Sequence, residues 1–316
     1  MPNPNAKEKT LSLVLGSGGA RGLAHIGAIQ AIEEAGWTIE SIAGSSMGAL
    51  VGGMYAAGKL DVYTEWVKKL QQSDVLRLVD WTLSGGGLIR GDKIIKRLRE
   101  MVGDVDIEDL QIDFTAVAVD IEHGREIWLS DGSLFEAIRS SFAIPGLFTP
   151  HRYRGRLLVD GGILNPIPVA PTLRCLTDAT FVINCNGPAR GSMDDREVDP
   201  PSATLAIDRT TADDAGVVDR LRRFFADLAD RDGENDDEPG LVAILIKSLE
   251  TMESVITRQH LAVFRPDRVV DIPRDACMIH EFHRANELID LGRARTIEVL
   301  KSFDDRAHRS DDTAHE

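Results

Sequence analysis

A chain of 316 residues with 43% hydrophobic and 28% charged side chains has an ordinary globular composition, with length for one large domain or two small ones. Lys+Arg of 36 against Asp+Glu of 51 leaves a net charge of −15, which opposes non-specific nucleic-acid binding and removes any general attraction to anionic membranes, so lipid contact has to be local and apolar. Cys175, Cys185 and Cys277 are odd in number and lack metal-ligand spacing, and residues 1–10 form a polar tail without the apolar run of a secretory signal, so the expectation is free thiols in a cytoplasmic protein.

Leu11-Ser-Leu-Val-Leu15 has the length and apolarity of a buried strand. It runs into the glycine loop Gly16-Ser-Gly-Gly-Ala-Arg-Gly22, and a helical pattern follows to Glu34, closed by Gly36. The next strand covers Ile39 to Ala43, so the first fifty residues read as a β-α-β unit with parallel strands and a right-handed crossover. The class is α/β. The loop opens like a dinucleotide fingerprint, but position 21 is Arg where the third glycine belongs, and the second strand ends without the acid that would hold a ribose. The other use of such a loop is an oxyanion hole built from the backbone N–H groups of Gly18 and Gly19, with Arg21 either an added donor or a packing arginine. The hydroxymethyl group of Ser17 is expected to point outward.

The second strand enters Gly44-Ser-Ser-Met-Gly48, the Gly-x-Ser-x-Gly pattern of a nucleophile elbow. Glycine at both flanks lets neighbouring backbone pass a tight strand-turn-helix in which Ser46 is held in a strained conformation. The start of the following helix supplies unpaired N–H groups that favour developing negative charge, so Ser46 is the candidate nucleophile. The uncharged run from Ser41 to Gly58 divides into strand, turn and short helix and is rejected as a membrane span.

Asp61 is expected to cap a helix carrying Val62, Trp66, Val67 and Leu70, and Asp92 to begin another with Ile94, Ile95, Leu98, Met101 and Val102. The glycines at 85–87 mark a loop between them, a position suited to a lid or an acyl-chain groove. Phe114–Ile121 and Glu126–Ser130 form an antiparallel pair, and Asp131-Gly132-Ser133 caps a short helix to about Ser140, after which Pro145 forces the chain out of helical conformation. A hairpin around Arg154-Gly155 returns through Leu157-Leu-Val159 to Asp160-Gly161-Gly162. An acid at the end of a strand, followed by two glycines that permit close approach, can reach a nucleophile on a neighbouring strand; a turn aspartate is the other use of the same tripeptide. Thr180–Asn184 is a further strand. Residues 189–240 then turn polar, broken by one apolar stripe of Val217, Val218, Leu221, Phe224, Phe225 and Leu228, and read as an insertion with one amphipathic helix. Leu241–Phe264 is helical, Arg268–Ile272 an edge strand, Glu281–Leu300 a closing helix, and 304–316 a disordered tail.

Gly16-Ser-Gly-Gly-Ala-Arg-Gly22, Gly44-Ser-Ser-Met-Gly48 and Asp160-Gly-Gly162, in that order, resemble the patatin-like phospholipase family. Ser140-Ser-Phe-Ala-Ile-Pro145 and Asn165-Pro-Ile-Pro168 support the match, which covers roughly residues 11–187 and is similar also to the hydrolase domain of neuropathy target esterase. The resemblance implies a three-layer α/β/α fold with a mainly parallel sheet over a single domain of 11–303. It implies Ser46 as nucleophile and Asp160 as general base of a dyad, with Gly18, Gly19 and Arg21 in the oxyanion loop and Gly16, Gly22, Gly44, Gly48, Gly161 and Gly162 completing the motifs. The activity implied is hydrolysis of fatty-acyl esters of phospholipids or lysophospholipids through an acyl-enzyme, with no cofactor and no metal. The implied partners are a lipid or acyl-ester substrate and a transient contact at the inner membrane face. A Ser-His-Asp triad is the competing chemistry, yet His25, His123, His151, His280 and His283 all lack a comparable motif. A patatin fold serving as a scaffold with little hydrolysis is the competing function.

Overall fold

The computed structural model describes residues 9–82, 86–190 and 241–313. The chain divides into two compact units, 1–190 with 251–316, and 191–250. The second falls where the sequence turns polar, extended by ten residues. Only 241–250 of it is described, so the apolar stripe of Val217 to Leu228 lies outside the described residues.

The strands of the larger unit are β1 (Lys9–Leu15), β2 (Trp37–Ser45), β3 (Gly87–Ile89), β4 (Asp113–Asp120), β5 (Arg125–Leu129), β6 (Gly146–Phe148), β7 (His151–Tyr153), β8 (Arg156–Asp160), β9 (Ala179–Gly187) and β10 (Arg268–Pro273). The helices are α1 (Ala24–Glu34), α2 (Met47–Ala56), α3 (Leu60–Val67), α4 (Gln72–Leu78), α5 (Asp92–Val102), α6 (Leu134–Ser141), α7 (Leu241–Phe264) and α8 (Ala285–Thr313), with α7 beginning in the smaller unit. The main sheet has the order β10-β9-β1-β2-β4-β8-β7, with β5 paired to β4. From β10 through β4 every pairing is parallel, whereas β8, β7 and β5 are antiparallel additions. A β-α-β start followed by hairpins produces this mixture, because short turns can join only antiparallel neighbours.

The apolar run of β1 is explained by burial on both faces. Leu11, Leu13 and Leu15 enter the large core with Phe181 and Ile183, under the helices α1, α2 and α6. Val14 points the other way and joins Val182, Ile167 and Val169 beneath Leu261 and Phe264 of α7. Helices therefore cover both faces of a mainly parallel sheet, which is the three-layer α/β/α arrangement. Each fully buried leucine or isoleucine of this kind stabilises by ~1.5–3 kcal/mol relative to exposure.

Three local expectations differ from the structure. Asp61 lies in the first turn of α3, with Lys59 at the cap position, so its carboxylate meets the helix dipole rather than closing the end. Gly87 opens β3, which pairs with β6. The closing helix runs to Thr313, beyond the tail expected from 304, through a stretch lacking proline and glycine to stop it. Cys175, Cys185 and Cys277 are all free. No described helix is long and apolar enough to cross a membrane.

Candidate active site

The register of β4 brings the two motif residues together. β2 runs parallel to β4 and ends with Ser45 opposite Val117, while β8 runs antiparallel and ends with Asp160 opposite Ala118. Two strands thus terminate head to head along one edge of a third, at consecutive rungs. Residue 46 and residue 160 have to meet there. The Ser46 hydroxyl donates to Asp160 Oδ2 at 2.6 Å, and both residues are almost fully buried, 4% and 3% exposed.

Ser46 adopts φ 56°, ψ −121° between β2 and α2, a region that costs a non-glycine residue on the order of 1–3 kcal/mol. Two features hold it there. Its N–H donates to Ser141 Oγ at 2.9 Å, and Ser141 Oγ in turn donates to the Val117 carbonyl at 2.6 Å, tying the elbow to β4 through α6. Gly48, second residue of α2, packs so closely on β1 that a Cβ would sit on the Leu15 carbonyl oxygen. Gly44 is the penultimate residue of β2.

Asp160 Oδ1 accepts the Gly162 N–H at 2.7 Å, so the turn through Gly161 and Gly162 aims the carboxylate. Burial pushes its pKa up, the charge of Glu253 pushes it further, and the hydrogen bonds from Ser46 and Gly162 oppose them; the result is about 8. A base of that strength matches a serine hydroxyl far better than an ordinary carboxylate.

The glycine loop is anchored at both ends and open in the middle. The N–H groups of Gly16 and Ser17 donate to the carbonyls of Ile183 and Pro166, that of Ala20 to Ile279, and that of Arg21 back to Gly18. The His25 Nε2–H donates to the Gly16 carbonyl at 2.8 Å. Among the described residues, no acceptor within the chain takes the N–H of Gly18 or Gly19. Gly19 has φ +55° and sits against Ile279, so the loop needs glycine at that place. Gly22 closes the 3-10 turn Gly19–Leu23 beside Met47, first residue of α2. The loop is adjacent to the dyad, because the Cβ of Ser17 and Asp160 Oδ1 both lie about 3 Å from where a Cβ on Gly162 would stand.

The Arg21 guanidinium is engaged by chain acceptors. Nη1 donates to the Arg274 carbonyl at 2.9 Å and Nη2 to Asn186 Oδ1 at 3.0 Å, so the side chain braces the loop. Ser17 is turned inward. It is 2% exposed, and its hydroxyl donates to Glu253 Oε2 at 2.8 Å instead of pointing outward.

Burial depresses the His25 pKa to about 4, so the ring stays neutral. Its contacts are the Gly16 carbonyl and, more distantly, Cys185 Sγ. His151 pairs with Glu136 and His123 with Asp120. No histidine among the described residues hydrogen-bonds Ser46 or Asp160, and no described group of His, Cys, Asp and Glu has metal-binding geometry. Three supporting residues carried no role in the sequence reading: Ser141, Asn186 and Glu253. Asn186 had a signal, since polar residues at the carboxyl end of a parallel strand face the site in open α/β sheets. Glu253 had none, lying mid-helix in α7. An open groove lined by Trp66, Leu70 and Leu78 with Lys69, Asp74 and Arg77 lies between α3 and α4.

Residues 13–173 match the family model for patatin-like phospholipase. An NTE family protein of Mycobacterium bovis is 39% identical over 332 aligned positions, which cover 93% of this chain and 92% of the relative, and one of Mycobacterium tuberculosis matches equally. The neuropathy target esterase of Drosophila persimilis is 38% identical over 166 positions, 50% of this chain and 12% of the fly protein. Among solved structures, VipD from Legionella pneumophila aligns with a TM-score of 0.45 at 16% identity, covering 94% of this chain and 67% of that one.

Proposed function

We propose, from the premise that the chain belongs to the patatin-like phospholipase family, that it is a serine acyl hydrolase cleaving fatty-acyl esters of phospholipids or lysophospholipids. The observation that carries this reading is the 2.6 Å hydrogen bond from Ser46 Oγ, on its strained turn, to a buried Asp160 with raised basicity. The word esterase in the name of the fly relatives, and phospholipase in that of the family, support the bond class.

In the mechanism, Asp160 takes the Ser46 proton as Oγ attacks the ester carbonyl carbon, and the carbonyl oxygen gains the negative charge. The N–H groups of Gly18 and Gly19, which have no competing acceptor among the described residues, receive it. Asp160 then returns the proton to the departing alcohol oxygen, leaving an acyl-Ser46 ester. A water molecule loses its proton to Asp160, attacks that ester, and releases the fatty acid as Ser46 recovers its hydrogen. Each Asp160 step needs only one carboxylate oxygen, while the other stays fixed by the Gly162 N–H.

Fluorophosphonate labelling and turnover on a panel of phospholipids, lysophospholipids and neutral acyl esters, with and without Ser46→Ala, test the reading. Labelling and hydrolysis should both vanish in Ser46→Ala while the thermal midpoint is retained or rises, because alanine removes a buried polar group. Wild-type protein that neither labels nor hydrolyses any ester would favour a scaffold built on this fold.

A further inference from the structure

Glu253 reaches the site from α7, an element distant in sequence from every motif. Its Oε2 accepts from Ser17 Oγ at 2.8 Å and from Asn186 Nδ2 at 3.1 Å. Its Oε1 lies 2.6 Å from where a Cβ on Gly162 would stand, so the same carboxylate rests against the turn that aims Asp160. Asn186 is itself held, because Oδ1 accepts from Arg21 Nη2 at 3.0 Å and its N–H donates to Asn184 Oδ1 at 3.0 Å. The amide orientation is therefore determined by its partners: Oδ1 toward the guanidinium, Nδ2 toward the carboxylate.

We infer that Glu253 is a positioning residue for the acyl-transfer reaction, which fixes the oxyanion loop against the dyad by gripping Ser17, the residue before Gly18. The inference rests on the hydrolase reading above. The loop needs such a grip because its glycines are the most conformationally free residues available, and two successive N–H groups have to stay aligned without chain acceptors of their own. Backbone bonds hold positions 16, 17, 20 and 21, the last through the Gly18 carbonyl, and among the described residues they leave the Ser17–Gly18 peptide, which carries the Gly18 N–H, without a backbone partner. Fixing the Ser17 side chain restricts the peptide plane that presents the Gly18 N–H. Both bonds fall on Oε2, so one oxygen with two lone pairs ties Ser17 to Asn186 while Oε1 lies against Gly162. This assigns a use to serine at position 17, and to Arg21, which orients Asn186 rather than meeting the oxyanion.

A positioning role separates from general stabilisation by which kinetic constant moves. Misalignment of an oxyanion donor raises the barrier after substrate is bound, so Glu253→Ala and Ser17→Ala should each lower kcat by about 10- to 100-fold with KM within about threefold. The double variant should be no slower than the slower single one, since both remove one contact. Glu253→Gln keeps an acceptor for Ser17 and should recover a substantial part of the lost kcat, with thermal midpoints of all variants close to wild type. Full kcat in Glu253→Ala, or losses in the two single variants that multiply in the double, would overturn the assignment while leaving the hydrolase reading intact. Absence of any Ser46-dependent turnover in wild type would instead overturn the hydrolase reading, and this inference with it.

Discussion

A serine hydroxyl near neutral pH needs somewhere to put its proton, and a carboxylate of ordinary pKa ~3.9 is a feeble acceptor. Burial and the neighbouring charge of Glu253 lift Asp160 to about 8, which makes it a competent base and sets a condition on its use. Below that value the carboxyl already holds a proton and cannot take another. The expected kcat/KM on a water-soluble acyl ester therefore rises with pH through a midpoint near 8 and levels above it. Asp160→Asn keeps the shape and loses the base; turnover should fall by orders of magnitude, and the residual activity should lack that rise. His25, neutral with a pKa of about 4, holds the Gly16 carbonyl. His25→Gln should lower the thermal midpoint without displacing the midpoint of the pH profile. A displaced midpoint in that variant would transfer the base role to the histidine.

The elbow and the glycine loop work as elements because backbone approaches backbone. At Gly48 a methyl group would collide with the Leu15 carbonyl, a rigid neighbour in the middle of the sheet. Overpacking of this kind costs ~1–3 kcal/mol, and at about 2–4 °C per kcal/mol Gly48→Ala should melt several degrees lower, as calorimetry would read. An unchanged melting temperature would mean that α2 can lift away from β1 freely. In the loop, Gly19→Val forces a β-branched residue into φ +55° against Ile279. Turnover should drop by at least ~10²-fold, the scale of one lost oxyanion donor. A nucleotide-binding loop behaves otherwise, since added NAD or ATP would raise the melting temperature of wild type and not of Gly19→Val. Such a shift, together with full hydrolysis by the variant, would reassign the loop. The pair β3 and β6 shows where pattern reading stops: three residues each carry no periodicity, and only their mutual pairing makes them strands.

For the whole molecule, a charge of −15 acts on any approach to a lipid surface. Repulsion between like-charged surfaces is screened over about 10 Å at 0.1 M salt. Hydrolysis of the same substrate should accordingly be slower in vesicles rich in anionic lipid than in zwitterionic ones at low ionic strength, and the difference should shrink as salt is added. A preference for anionic vesicles that salt abolishes would reveal a local basic docking face that the net charge conceals.

By itself the sequence determined the class and marked the two motifs that the fold brings together. Gly44-Ser-Ser-Met-Gly48 and Asp160-Gly-Gly162 are dictated locally, by which residues tolerate a strained turn or a close backbone, so they are legible in a few adjacent positions. Alternation and apolar runs similarly disclosed β1, β2, β4, β9 and the helices α1, α2, α3, α5 and α6, but not the short α4. Tertiary structure alone decided the rest. The meeting of Ser46 with Asp160 depends on strand register along β4, which no local pattern encodes. Burial raised Asp160, turned Ser17 inward and aimed Arg21 at Asn186, because side chains excluded from water must find their partners among whatever the fold brings near. Glu253, more than ninety positions beyond Asp160, became part of the site only when α7 crossed the sheet and laid its carboxylate against Ser17 and Gly162.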